Sequence, residues 1–123
     1  MWGISSRSER LGGDQRRTRR VYDSGLVRAT LRGPIERTVL DIEGELDFTS
    51  ADDLIIAVRA IEQPVKLIEL QGLDFVDTAG ARALRQAATL LQASQQTDIS
   101  IVGAQPNVER VLQMVDAYEL TLA

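Results

Sequence analysis

Three residues in two short stretches of this chain carry groups that could take part in chemistry. Thr78 follows Asp77 in the stretch FVDTAGARAL, and Asp47 closes the upstream stretch IEGELD. A hydroxyl beside carboxylates is compatible with a small phosphoryl or acyl transferase. Such an enzyme would also need a base for the hydroxyl, a glycine-rich phosphate loop or a metal cluster, and the sequence contains no such pattern. We therefore predict a protein that is not an enzyme and has no catalytic residues.

The composition excludes several other kinds of site. The chain has 123 residues, which is the length of one domain, and it contains no cysteine and no histidine. Disulfides, thiol nucleophiles, imidazole bases and the commonest transition-metal ligands are thereby removed. We expect no metal site and no cofactor. No apolar run approaches the ~20 residues of a membrane span, and the N-terminus lacks the apolar core of a signal peptide. We therefore expect a cytoplasmic protein without membrane insertion.

Charge is distributed unevenly along the chain. Residues 1–20 hold six arginines and two acidic residues, whereas residues 21–123 hold eight basic and sixteen acidic residues. An acidic core argues against direct nucleic-acid binding, which needs clustered lysine and arginine. Residues 1–23 lack periodic apolar positions, so we predict a disordered Arg-rich extension, with an anionic surface or acidic partner as the alternative role of RRTRR at 16–20. The folded domain should then occupy residues 24–123.

The first half of this domain shows the two-residue period of half-buried strands. LVRATLRG at 26–33 and TVLDIEGELD at 38–47 both alternate apolar and polar residues, which predicts a hairpin. A helix should follow, with its apolar stripe formed by Leu54, Val58 and Ile61. Its expected cap is Thr49 or Ser50, and its expected first turn carries the acidic residues Asp52 and Asp53.

The second half alternates strands with helices. The nearly continuous apolar run VKLIEL at 65–70 is typical of a strand covered on both faces, and the intervening helix makes it parallel to residues 38–43. A second helix, a strand at 99–102 and a third helix beginning at Pro106 follow. The fold class is therefore α/β, with a short mixed sheet of about four to five strands packed with three to four helices. The apolar positions of the last two helices are Leu84, Ala87, Ala88, Leu91, Val108, Val111, Leu112 and Val115.

The stretch FVDTAGARAL then lies at the carboxyl end of a parallel strand, where open α/β sheets tend to place ligand and partner sites. Asp77 or Thr78 can cap the second helix. Gly80 costs about 1 kcal/mol relative to alanine inside a helix, and close packing of helix against sheet would account for it.

Two motifs together resemble the STAS family, the domain shared by sulfate transporters and anti-sigma factor antagonists. They are LDFVDTAGARAL and the upstream IEGELDFTSADDL, and the resemblance extends over roughly residues 24 to 120. In that family, a Ser or Thr after Asp, just before the second helix, is phosphorylated by a partner kinase that is also an anti-sigma factor. Thr78 matches the acceptor, Asp77 its acidic neighbour, and Asp47 the acidic position of the nearby loop.

The resemblance therefore implies an anti-sigma factor antagonist of the bacterial cytoplasm, which regulates transcription by partner switching. Its expected partner is an anti-sigma factor with kinase activity, and a phosphatase is a further candidate partner. The dephosphorylated protein should bind the kinase, and phosphorylation at Thr78 should release it. The expected partner-binding residues are Asp47, Asp77, Thr78, Ala79 and Gly80.

Two residues depart from the family pattern. Many antagonists have two consecutive hydroxyl residues, but here Ala79 follows Thr78. A threonine at this position also resembles STAS subunits of bacterial phospholipid-transport ABC systems, which bind the ATPase subunit, and this is the alternative function. Gln105 stands where the family usually has a serine before the proline of the third helix, which weakens that cap.

Overall fold

A computed structural model of the protein describes residues 17–122. It contains six strands, three α-helices and one short 3-10 helix at Ile35–Arg37. The strands are β1 (Arg17–Asp23), β2 (Val27–Gly33), β3 (Thr38–Leu46), β4 (Val65–Glu69), β5 (Leu73–Val76) and β6 (Ser100–Val102). The helices are α1 (Phe48–Arg59), α2 (Thr78–Gln95) and α3 (Pro106–Leu122).

All six strands form one mixed sheet in the order β1-β2-β3-β4-β6, and β5 pairs with β3 outside this path. The hairpin of β2 and β3 and the parallel pairing of β4 with β3 confirm the predicted α/β class. The sheet has more strands than the four to five expected. The difference arises partly because β3 is nine residues long. Its first half pairs with β4 through Leu40 and Ile68, and its end pairs with β5 through Leu46 and Val76.

The sheet begins earlier in the chain than predicted. Strand β1 is antiparallel to β2 and includes residues 17–23, which we assigned to a disordered extension. The arginines give this strand the composition of a solvated tail, but within the sheet an arginine can form hydrogen bonds to side chains of the neighbouring strand. Arg20 donates from Nε to Oγ1 of Thr30 at 3.1 Å, and Val21 and Tyr22 pack against the core. Residues 1–16 lie outside the described part of the chain.

The apolar residues of the strands and helices meet in one core. The predicted inward residues Leu40, Ile42 and Leu46 are fully buried. The predicted stripes of the first two helices are also buried, although Ile61 follows the end of α1 at Arg59. In α3, Val108, Leu112 and Val115 are buried and Val111 is partly buried.

The other face of the sheet is lined by cross-strand ion pairs. Arg28 bonds to Glu43 at 3.1 Å and Arg32 bonds to Asp41 at 2.8 Å. Leu67 of β4 is only partly buried. The expectation that β4 is covered on both faces was therefore wrong, because a nearly continuous apolar run also occurs in a strand with one open face.

Candidate functional site

Strands β3 and β5 end side by side, and each passes directly into a helix. The residue between strand and helix is an aspartate in both cases. Asp47 accepts hydrogen bonds at Oδ1 from the backbone N–H of Thr49 at 2.9 Å and from its hydroxyl at 2.5 Å. The hydroxyl of Thr49, followed by its N–H, lowers the pKa of Asp47 from the ordinary 3.8. Asp47 is therefore the N-cap of α1.

This cap corrects two expectations for α1. Thr49 and Ser50 were the predicted caps, but both lie inside the helix, which begins at Phe48. Asp52 and Asp53 consequently fall after the first turn, which contains no acidic residue. Aspartate caps helices as well as serine and better than threonine, so the three candidates within residues 47–50 do not identify the cap from the sequence alone.

Asp77 connects the starts of both helices. Its Oδ1 accepts the N–H of Gly80 at 2.7 Å, which caps α2, while its Oδ2 accepts the N–H of Phe48 at 2.9 Å. The N–H of Asp77 also donates to the carbonyl oxygen of Leu46 at 3.3 Å. Both carboxylate oxygens are thus used within the protein, and this side chain fixes the first turn of α1 relative to that of α2.

Gly80 lets α2 approach the end of β3. A Cβ atom at this position would lie 2.5 Å from the carbonyl oxygen of Leu46 and 2.7 Å from Cγ2 of Val76. The close packing predicted from the sequence is therefore present. Gly80 is buried and Ala79 is partly buried against the core, so neither residue offers an exposed side chain to a partner. Gly80 therefore positions the start of α2 against the end of β3.

Thr78 is the first residue of α2, and its side chain is exposed. Its hydroxyl makes no hydrogen bond to any residue within 17–122. The two other hydroxyls near this point are different. The Thr49 hydroxyl donates to Asp47, and Ser50 is 3% exposed. Of these three groups, only Thr78 combines an exposed position with an unbonded hydroxyl among the described residues.

Comparison with known proteins places this fold in a family. The family model of the STAS domain matches residues 27–121, which is most of the chain. The chain belongs to the STAS-domain family. The solved structures that match include the crystal structure of an antisigma-factor antagonist STAS domain from Rhodobacter sphaeroides. The identity is 21%, the TM-score is 0.57, and the match covers 69% of this chain and 98% of that chain. Comparison with curated protein sequences gave no significant match.

Large apolar side chains are exposed at the same end of this STAS domain. Phe48 is 72% exposed, Phe75 is 47% exposed and Leu26 is 55% exposed. Phe75 is paired with Glu45 across β5 and β3, and the N–H of Glu45 donates to the carbonyl oxygen of Leu26. Phe48 donates its N–H to Asp77, two residues after Phe75. We call Leu26, Phe48 and Phe75 the apolar rim. The sequence does not predict the apolar rim, because apolar residues at the ends of strands and helices have the same pattern as core residues.

The surface around the rim is acidic. The caps Asp47 and Asp77 are partly exposed, and Glu45, Asp52, Asp53 and Asp74 are exposed. Asp74 is held by α3, since Gln105 donates to its carboxylate at 3.2 Å and Asn107 donates to its carbonyl oxygen at 2.8 Å. Among residues 17–122 no cluster of acidic side chains is arranged to hold a metal ion, and no helix is long and apolar enough to cross a membrane.

Proposed function

We propose that this STAS domain is an anti-sigma factor antagonist that acts by binding and not by catalysis. In its dephosphorylated state it binds an anti-sigma factor that is also a serine/threonine kinase, which frees the sigma factor. Phosphorylation of Thr78 by that kinase dissociates the complex, and a phosphatase restores binding. The observation that carries this proposal is the exposed Thr78 hydroxyl at the start of α2, unbonded within residues 17–122 and adjacent to the apolar rim.

The apolar rim supports a protein partner at this end of the sheet. Exposed apolar groups that lie together mark interaction sites, and aromatic residues often dominate the binding energy of an interface. Phe48 is held in place through its N–H bond to Asp77, which precedes Thr78. A partner that covers the rim would therefore also cover the hydroxyl.

Charge explains how a phosphate on Thr78 would end such a complex. The group adds about two negative charges at the N-terminus of α2, where the helix dipole tolerates them. The fold should therefore survive phosphorylation. Asp77 and Asp74 already make this surface negative, so a partner that complements its charge would meet a larger, more strongly solvated group. Binding should weaken while stability changes little.

Phosphate incorporation tests the assignment of the acceptor. The wild type, Thr78→Ala and the control Thr49→Ala are incubated with labelled ATP and a candidate anti-sigma kinase, and the phosphopeptide is identified by mass spectrometry. We expect one phosphate on Thr78 in the wild type and in Thr49→Ala, and none in Thr78→Ala. Phosphate on Thr49 or Ser50 would contradict the assignment. A protein that takes up no phosphate but binds the ATPase subunit of a phospholipid-transport system would instead have the alternative function.

A further inference from the structure

A concave site lies at the opposite end of the sheet from Thr78. It is a cavity of about 350 Å³ lined by Thr18, Arg32, Gly33, Pro34, Arg37 and Val39. Val39 stands near the start of β3 and Leu46 at its end, so seven residues of extended strand place the two ends roughly 23 Å apart. The cavity is therefore separate from the surface formed by Thr78 and the apolar rim.

Two guanidinium groups supply positive charge and hydrogen-bond donors to the cavity. Arg32 uses Nε for its bond to Asp41, which leaves the terminal nitrogens of its guanidinium for another acceptor. Arg37 is exposed, and its side chain makes no ion pair or hydrogen bond with a residue in the described range 17–122. Within that range the Thr18 hydroxyl is also unbonded. Asp41 neutralises only one of the two cations that line the cavity, so a net positive charge remains.

Gly33 forms a turn of the backbone at one side of this cavity. Gly33 has a φ of +99°, a conformation that other residues rarely adopt, and it turns the chain out of β2. Apart from its chain neighbours, the nearest described atom to a Cβ built on Gly33 would be the carbonyl oxygen of Arg37, at 3.2 Å.

We propose that this cavity binds a phosphate group, either as inorganic phosphate or as the phosphate of a small phosphorylated molecule. Arginine presents its donors in a planar fork that matches the oxygens of a phosphate, and it remains charged at all relevant pH values. The hydroxyl of Thr18 supplies a further donor, and Val39 and Pro34 form an apolar wall for the remainder of a larger ligand. The cavity volume lies at the small end of the range for small-molecule sites.

Titration followed by NMR of backbone amides tests this proposal, with inorganic phosphate as the first probe and glycerol phosphate as the second. We expect saturable shifts of the Thr18, Gly33 and Arg37 amides, and an affinity about tenfold weaker in Arg37→Gln. The matched control is Arg59→Gln, which changes an exposed arginine at the end of α1 and should bind as the wild type does. Tighter binding of glycerol phosphate than of inorganic phosphate would identify a phosphorylated small molecule as the ligand class, and the reverse order would identify free phosphate.

Several results would overturn the site. Chemical-shift changes that do not saturate would show nonspecific attraction of the anion to surface charge. An equal loss of affinity in Arg37→Gln and Arg59→Gln would show the same. Saturable shifts at Thr78 instead of Gly33 would place the anion at the other end of the sheet. Thr78→Ala should bind phosphate like the wild type. The phosphate-site proposal and the proposed phosphorylation switch can therefore be tested separately.

Discussion

Replacement of Asp77 by alanine should destabilise the protein through two lost hydrogen bonds and not one. The first is the cap to the N–H of Gly80, worth about 1 kcal/mol. The second is the bond to the N–H of Phe48, for which a charged acceptor contributes about 1.5 kcal/mol. Because the site is partly exposed, water can form hydrogen bonds with the two N–H groups after the carboxylate is removed. We therefore expect a total loss of about 2 kcal/mol in the free energy of unfolding.

Replacement by asparagine separates the two bonds. Asparagine caps helices as well as aspartate does, so its carbonyl oxygen can still accept the N–H of Gly80. Its amide nitrogen would then face the N–H of Phe48, and two donors cannot bond. Asp77→Asn should therefore cost about half as much as Asp77→Ala, or about 1 kcal/mol. Hydrogen exchange should show reduced protection of the Phe48 amide and unchanged protection of the Gly80 amide.

Urea unfolding followed by circular dichroism measures these differences, provided that the denaturant slope stays constant. The control is Asp53→Ala, an exposed aspartate on α1 whose side chain makes no hydrogen bond to residues 17–122; it should change stability by less than about 0.5 kcal/mol. Equal stabilities for Asp77→Ala and Asp53→Ala would refute the conclusion that Asp77 joins the two helix starts.

Further expectations concern packing, pH and the N-terminus. Gly80→Ala should lower the free energy of unfolding in urea by about 1 kcal/mol, since overpacking costs about 2 kcal/mol and the helix preference of alanine offsets about 1 kcal/mol of that; an unchanged midpoint would show that α2 can shift. The carboxyl of Asp47 should titrate by NMR below 3.8, and Thr49→Val should raise its pKa. The pKa of Asp47 is lower in the folded than in the unfolded protein. The stability that the ionised carboxylate adds as a helix cap is therefore present above about pH 4 and is lost as the pH falls through the folded pKa; an unshifted titration would contradict the cap. Deletion of residues 1–16 should leave the melting temperature nearly unchanged, whereas deletion of 1–23 removes β1 and should lower it by several degrees; equal effects would contradict the role of β1.

The sequence predicts most of the core because burial imposes a period. Leu40, Ile42 and Leu46 alternate, and the apolar residues of α2 recur with the helical repeat, so their burial could be predicted without a structure. Strand β1 lacks this signal. Its arginines belong to an edge strand, where charged residues are common, and the same composition is typical of a solvated tail.

The candidate site was only partly predictable for a different reason. Thr78 and its aspartate neighbour form a local motif, and Gly80 indicates close packing in the same stretch. The bond from Phe48 to Asp77 connects residues far apart in the chain, so no local pattern contains it. The exposure of Phe48 and Phe75 likewise depends on where the strands end, and their apolar character alone predicts burial.

The most direct test of the proposed switch is calorimetric titration of the anti-sigma kinase with four forms of the protein: the wild type, the stoichiometrically phosphorylated wild type, Thr78→Ala and Thr78→Glu. The unphosphorylated wild type and Thr78→Ala should bind with similar affinity, since alanine removes only an exposed hydroxyl. The phosphorylated form and Thr78→Glu should bind more weakly, and for the phosphate the loss should be well over tenfold, which is more than about 1.4 kcal/mol. Equal affinities for the Ala and Glu variants and for the phosphorylated protein, with all forms folded, would contradict the claim that charge at Thr78 controls partner binding.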